Sequence, residues 1–169
     1  MENSSISISN RYVNHIFHAL DCDMICFMNP ETHEIENVPY DFLCGMYHDI
    51  TWQEAVNRVD QWEKYITINR PEPEETVEIM RSFVDTCIPS GTLKEQLNGA
   101  LSLRRPDKKF NRIVENSSYR DKWTAYCRRQ MMKHIRRKLR KQISVEASLP
   151  SIPIPQTLFK HSPEFHISN

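Results

Sequence analysis

Glycine is nearly missing from this chain, with three in 169 residues at positions 45, 91 and 99. A phosphate-cradling P-loop and a dinucleotide-binding turn both need several closely spaced glycines, so neither fits. Cysteine is present but unpatterned. Cys22, Cys26, Cys44, Cys87 and Cys127 are odd in number and scattered, with no C-x-x-C pair. That removes a disulfide framework and the paired-cysteine zinc and redox motifs, and leaves buried, reduced thiols as the expectation. No run approaches the roughly 18 apolar residues of a membrane-spanning helix. The opening MENSSISISN also lacks a basic region followed by an apolar stretch, so the expected location is cytoplasmic.

Net charge is missing too, because 22 Lys and Arg balance 22 Asp and Glu. The balance hides a segregation. Met1 to Leu103 carries six basic and seventeen acidic residues, a net of −11, whereas Arg104 to Gln142 carries fifteen basic and three acidic, a net of +12. Such asymmetry implies either an anionic partner or neutralisation of one half by the other. Two basic clusters stand out. Arg104, Arg105, Lys108, Lys109 and Arg112 form the first, and Arg129, Lys133, Arg136, Arg137 and Arg140 follow helical spacing in the second, with Arg128, Lys138 and Lys141 beside them.

What is there reads as a helix-rich α+β chain. Val13, Ile16, Phe17 and Leu20 recur at the spacing of one helical stripe, with Asn10 as its cap. Met24 to Met28 and Glu34 to Val38 flank Asn29-Pro30-Glu31-Thr32 and predict a hairpin, and Tyr65 to Ile68 predicts a third strand. Thr51-x-x-Glu54 and Thr92-x-x-Glu95 have the form of capping boxes before apolar-periodic segments. Pro73, Glu74 and Glu75 suit a first helical turn, with Val77, Met80 and Val84 facing inward. A short helix with Phe110, Ile113 and Val114 then leads into a final helix from Tyr119 to about Ile143. On that helix Trp123, Cys127, Met131, Ile135 and Leu139 repeat every four residues, though its second half reads as thinly apolar.

The expected layout is a single α+β domain over residues 1–143, with a small three-stranded antiparallel sheet (hairpin plus one strand) packed by several helices and a long basic C-terminal helix. A Pro-containing tail over 144–169 is expected to be disordered, its LPSIPIP segment having the composition of an extended docking peptide.

Catalytic signatures are not evident. There is no nucleophile with a nearby base in a recognisable frame, and His48-Asp49 has no companion ligands of the metal-dependent phosphohydrolase kind, so it reads as a loop-capping pair. His15, His18 and Cys22 share a helical face but make only three ligands, with one at the helix end, so no metal or cofactor is expected.

Arg104-Arg105-Pro106, Phe110, Tyr119, Trp123 and Tyr126, together with NPETHEI, YITINRPEPEETVEIMRSFVD and GTLKEQLNGALSLRRP in that order, resemble a bacterial family of small proteins to which no activity is assigned. The resemblance spans roughly Ile16 to Arg140. Family members often carry Phe directly after the R-R-P proline, where this chain has Asp107. The resemblance implies a single α+β domain and brings no catalytic residues.

Function therefore rests on charge. The leading expectation is a non-catalytic interaction or regulatory module using its segregated surface to meet an acidic protein partner or, in a salt-sensitive homodimer, another copy of itself. The alternatives are a nucleic-acid-associated protein whose basic clusters track phosphates, and an enzyme with an unrecognised carboxylate site.

Overall fold

The computed structural model describes residues 9–146, with side chains through residue 140. Its elements run α1 (Asn10–Asp21), β1 (Met24–Met28), β2 (Ile35–Pro39), α2 (Tyr40–Leu43), α3 (Ile50–Asp60), β3 (Ile66–Ile68), α4 (Pro73–Cys87), α5 (Thr92–Leu101), α6 (Asp107–Glu115) and α7 (Arg120–Glu146). The expected α+β class and the three-stranded antiparallel sheet are both present, in the order β2-β1-β3. The hairpin pairs Met24 with Pro39 and Met28 with Ile35. Its turn is built by Asn29, whose Oδ1 accepts from the Glu31 and Thr32 backbone N–H groups at 2.9 and 3.1 Å. His33 then takes a left-handed φ of 61° to re-enter the ladder.

Alternation along β1 sends its side chains to two faces. Met24, Cys26 and Met28 join Ile35, Ile66 and Ile68 beneath α1 and α7, while Ile25 and Phe27 join Val38 against α3. A third cluster gathers Met80, Phe83 and Val84 of α4, Leu97 and Ala100 of α5, Phe110 and Val114 of α6, and Trp123 and Tyr126 of α7. Helix α7 belongs to two clusters: Trp123 and Tyr126 pack with α4 to α6, and Ile135 and Leu139 pack with α1 and the sheet.

Several local expectations are corrected. Ser9, not Asn10, caps α1 by accepting from Arg11 N–H. Asp49 caps α3 by accepting from Thr51 and Trp52 N–H at 2.8 and 3.3 Å, because a carboxylate two residues upstream reaches both donors and leaves Thr51 inside the helix. Gly91, with no side chain, occupies the cap of α5, so Thr92 is its first helical residue. The second half of α7 is core rather than thinly apolar, since Ile135 and Leu139 are almost fully buried. Cys22 and Cys44 are exposed, whereas Cys26 is buried; burial raises the Cys26 and Cys127 thiols to about 12 and keeps them protonated. Helix α7 ends at Glu146, within a few residues of the expected end near Ile143; it takes in the first three residues of the expected tail, and the remainder lies outside the described residues.

Candidate functional site

The inner and outer faces of α7 follow from its packing. At about 3.6 residues per turn, Trp123, Cys127, Met131, Ile135 and Leu139 point inward, and Lys122, Arg129, Lys133, Arg136 and Arg140 fall within a narrow arc on the opposite side. Four of those five are exposed and Arg136 is half-buried. From Lys122 to Arg140 the row spans about 27 Å at 1.5 Å per residue. The helix is packed along its flanks by α1, α4, α6 and β3, which leaves this outer ridge open to a partner.

Of the ten basic residues singled out from the sequence, Arg129, Lys133, Arg136 and Arg140 share the ridge, and Arg137 sits at its edge. Arg104 and Arg105 lie in the loop before α6, and Lys108, Lys109 and Arg112 lie on the exposed side of α6 itself. The two groups are therefore carried by successive helices, which meet where Phe110 and Asn111 contact Trp123; the indole Nε1–H donates to Asn111 Oδ1 at 3.1 Å. Lys122 was not singled out, although its seven-residue offset from Arg129 signals the same face.

Neutralisation across the charge boundary is slight. Among the described residues, the ion pairs Glu36–Arg58, Asp23–Arg70 and Glu78–Arg81 are internal to the acidic half, and Arg137 is the sole arginine or lysine beyond Leu103 that pairs with a carboxylate, that of Glu75. Arg136 donates to Asn10 Oδ1 at 2.9 Å. Arg128 lies over Phe17 and Arg129 over Tyr126, with the guanidinium carbons 5.1 and 5.7 Å from the ring centroids. Those contacts steady the stems and leave the charges uncompensated.

A cleft of about 480 Å³ opens between α4 and α7 beside the ridge, with Lys133 and Arg137 on its α7 rim. One end is closed by Tyr126, whose hydroxyl lies 2.8 Å from Ser82 Oγ. The other is closed by a seam of Glu75, His134 and Arg137. His134 Nε2 is 3.0 Å from the Asn69 carbonyl oxygen, so that nitrogen bears the proton and donates. Nδ1 is then the lone-pair side and accepts from Arg137 Nη2 at 3.1 Å. Burial pushes the imidazole below the usual histidine range despite the Asn69 carbonyl and Glu75, and so favours this neutral form. Partial burial pushes the Glu75 carboxyl up, but the hydrogen bond and charge of Arg137 outweigh it and hold Glu75 below the usual carboxylate range. Glu75 is thus an ionised anchor rather than a carboxyl poised to give a proton near neutrality. His134 escaped the sequence reading, though its seven-residue offset from Cys127 places it on the inner face.

His15 Nε2 lies 3.0 Å from Asn37 Nδ2, and no group of three potential metal ligands occurs among the described residues. No helix of the described residues is long and apolar enough to cross a membrane. No family model matches the chain, and no curated protein or solved structure matches it.

Proposed function

We propose that this chain is a non-catalytic interaction module that binds the phosphate backbone of nucleic acid through the outer ridge of α7, with the basic face of α6 as an extension. The observation that carries the reading is the uncompensated row itself: Lys122, Arg129, Lys133, Arg136 and Arg140 form a line with no carboxylate partner among the described residues. Like charges one turn apart cost about 0.2–0.5 kcal/mol per pair in the unbound helix. A polyanion relieves that cost and releases condensed counterions.

The packing of α7 also argues for the mode of binding. A major groove about 12 Å wide admits an isolated helix, but α7 is held by neighbours on its flanks and presents one edge. That edge suits phosphates and not base edges, so recognition is independent of sequence. Among the described residues the exposed large apolar side chains are Tyr40, Met46, Tyr47, Ile50 and Leu103, none of them on α7. Without a stacking platform on the ridge, the dense backbone charge of a duplex is favoured over a flexible single strand.

The membership proposed with it is in the bacterial family that the R-R-P and aromatic spacing resembles. Pro106, Phe110, Trp123 and Tyr126 are buried; Trp123 and Tyr126 pack against Phe83 and each other, and Phe110 packs against Trp123, with ring centroids 4.8–6.2 Å apart. This supports a packing role for the signature.

The test is fluorescence anisotropy with two labelled duplexes of unrelated sequence, comparing the wild type with K133E/R136E/R140E. Equal affinity for both duplexes and loss of binding in the variant are expected. Binding to polyglutamate with none to either duplex would reassign the ridge to an acidic protein partner.

A further inference from the structure

On the opposite side of the sheet from α7, the segment between β2 and α3 turns apolar side chains outward. Tyr40, Met46, Tyr47 and Ile50 are 58, 72, 41 and 78% exposed, four of the five large apolar side chains that stand out from the described surface. Their exposure is built in. Phe42 and Leu43 turn inward onto the α3 cluster. Gly45, at a φ of +73° that favours glycine, reverses the chain after α2. Backbone bonds from Cys44, Gly45 and Met46 to the carbonyls of Tyr40, Phe42 and Asp41, at 2.9–3.0 Å, close the turn. Phe42 packs edge-on against Tyr47 at 5.8 Å, and the Asp49 cap fixes Ile50 as the first residue of α3, pointing away from Ala55, Val56 and Val59. An ordered apolar patch of this kind marks a contact surface.

Beside it lies a cavity of about 530 Å³ with Met24, Ile25 and the Tyr40 ring as apolar walls and Asp41 and Glu72 among its polar ones. The one arginine lining it, Arg70, is committed to its own chain. Nε and Nη2 donate to the Leu20 and Asp21 carbonyls at 2.7 and 3.1 Å, and Nη1 pairs with Asp23 at 3.0 Å. Asp41 and Glu72 have no ion-pair partner among the described residues. The cavity is therefore a slot with an aromatic wall and uncompensated carboxylates, a chemistry that suits a cation.

We propose that this surface docks a basic amphipathic segment of another protein. One Lys or Arg of that segment enters the cavity between Tyr40, Asp41 and Glu72, and a neighbouring long apolar side chain covers Met46 and Ile50. Charge complementarity selects this occupant, because the patch stands in the half of the chain that is net −11. A second copy is a poorer match, since its cationic ridge carries none of the exposed large apolar side chains. Residues 147–169 are poorer still, with one Lys and one Glu among them. None of the ridge residues lines the cavity or belongs to the exposed apolar group, so the segment and the polyanion of the proposed function occupy different surfaces and neither reading depends on the other.

The full chain is titrated at near-physiological salt against a fluorescein-labelled amphipathic Lys/Leu peptide, with Lys/Ser and Glu/Leu peptides of the same order as controls. M46S/I50S and D41N/E72Q change only exposed residues, and circular dichroism verifies that both variants stay folded. Binding of the Lys/Leu peptide, reduced about tenfold or more in each variant, with weak Lys/Ser and no Glu/Leu binding, is the expected result. Unchanged affinity in M46S/I50S, or equal binding of Lys/Ser and Lys/Leu, would overturn the proposal. So would tighter binding of a synthetic 147–169 peptide, or a dimer in light scattering that M46S/I50S dissolves. K133E/R136E/R140E is expected to bind the Lys/Leu peptide as the wild type does, whatever becomes of its duplex binding.

Discussion

The inner and outer faces of α7 are made from the same stretch of chain and do opposite work. Trp123, Tyr126, Ile135 and Leu139 are buried and join two core clusters, whereas Lys122, Arg129, Lys133 and Arg140 are exposed. The comparison shows how a helix with ten basic residues can be an integral part of the fold. Five of the basic residues, Lys122, Arg129, Lys133, Arg136 and Arg140, lie on the arc that packing leaves over, and Lys122, Arg128 and Arg129 rest over Tyr119, Phe17 and Tyr126 rather than pairing with carboxylates. Between the faces lies the seam of Glu75, His134 and Arg137, where among the described residues an arginine of the basic half pairs with a carboxylate of the acidic half.

The sharpest way to break this division is on the inside. Trp123→Ala is expected to cost about 3–5 kcal/mol and Ile135→Ala about 2–5 kcal/mol in urea unfolding, from lost burial plus the cavity left behind. Under conditions where either variant remains folded, its salt slope for duplex binding is expected to match the wild type. A change in slope at full occupancy of the folded state would mean that the two faces are not separable. On the outside the effects reverse: Lys133→Ala or Arg140→Ala is expected to make the slope shallower by about one unit each while stability stays within about 0.5 kcal/mol.

The seam gives smaller effects that belong to both faces. In the Glu75–Arg137 pair the side chains are 37 and 59% exposed, so solvent screening limits Glu75→Gln to about 0.2–1 kcal/mol of stability. The same substitution releases Arg137 to the ridge, and a steeper salt slope is expected. A shallower slope would place Glu75 in partner recognition instead.

The smallest expected effect is a dependence on pH. Burial lowers the proton affinity of His134 in the folded chain, so the unfolded chain binds that proton first. Its contribution to stability is complete above the ordinary histidine value, about 6.5, and declines as pH falls from there towards the folded value. Glu75, held low by Arg137, contributes at higher pH and loses its share only as pH falls through the acidic range below the usual glutamate value. Urea midpoints measured from neutral to mildly acidic pH are expected to fall less in His134→Gln than in the wild type. Parallel curves would mean that His134 is not the group responsible.

The same comparison explains what was legible in the sequence. Periodicity and turn chemistry are local, so the hairpin, β3, α4 and the four-residue repeat from Trp123 to Leu139 could be read directly. Caps depend on which of two neighbouring polar groups reaches the free N–H donors, and there Asp49 prevails over Thr51 and Ser9 over Asn10. The short helix α2 was hidden because four residues are too few for a period. For the candidate site, spacing alone identified the ridge, while the pairing of Arg137 with Glu75 depends on packing between residues 62 positions apart. Equally, the outward turn of Met46 and Ile50 comes from Gly45 and Asp49 geometry, and an isolated apolar residue in a loop carries no direction.

The measurement closest to the central claim is the salt dependence of duplex binding by the wild-type chain. Five ridge cations on phosphates predict a log–log slope of about −4 to −5, at roughly −0.9 per phosphate neutralised. A slope shallower than about −1, or the same slope in K133E/R136E/R140E, would contradict the assignment of the ridge as a phosphate-binding face.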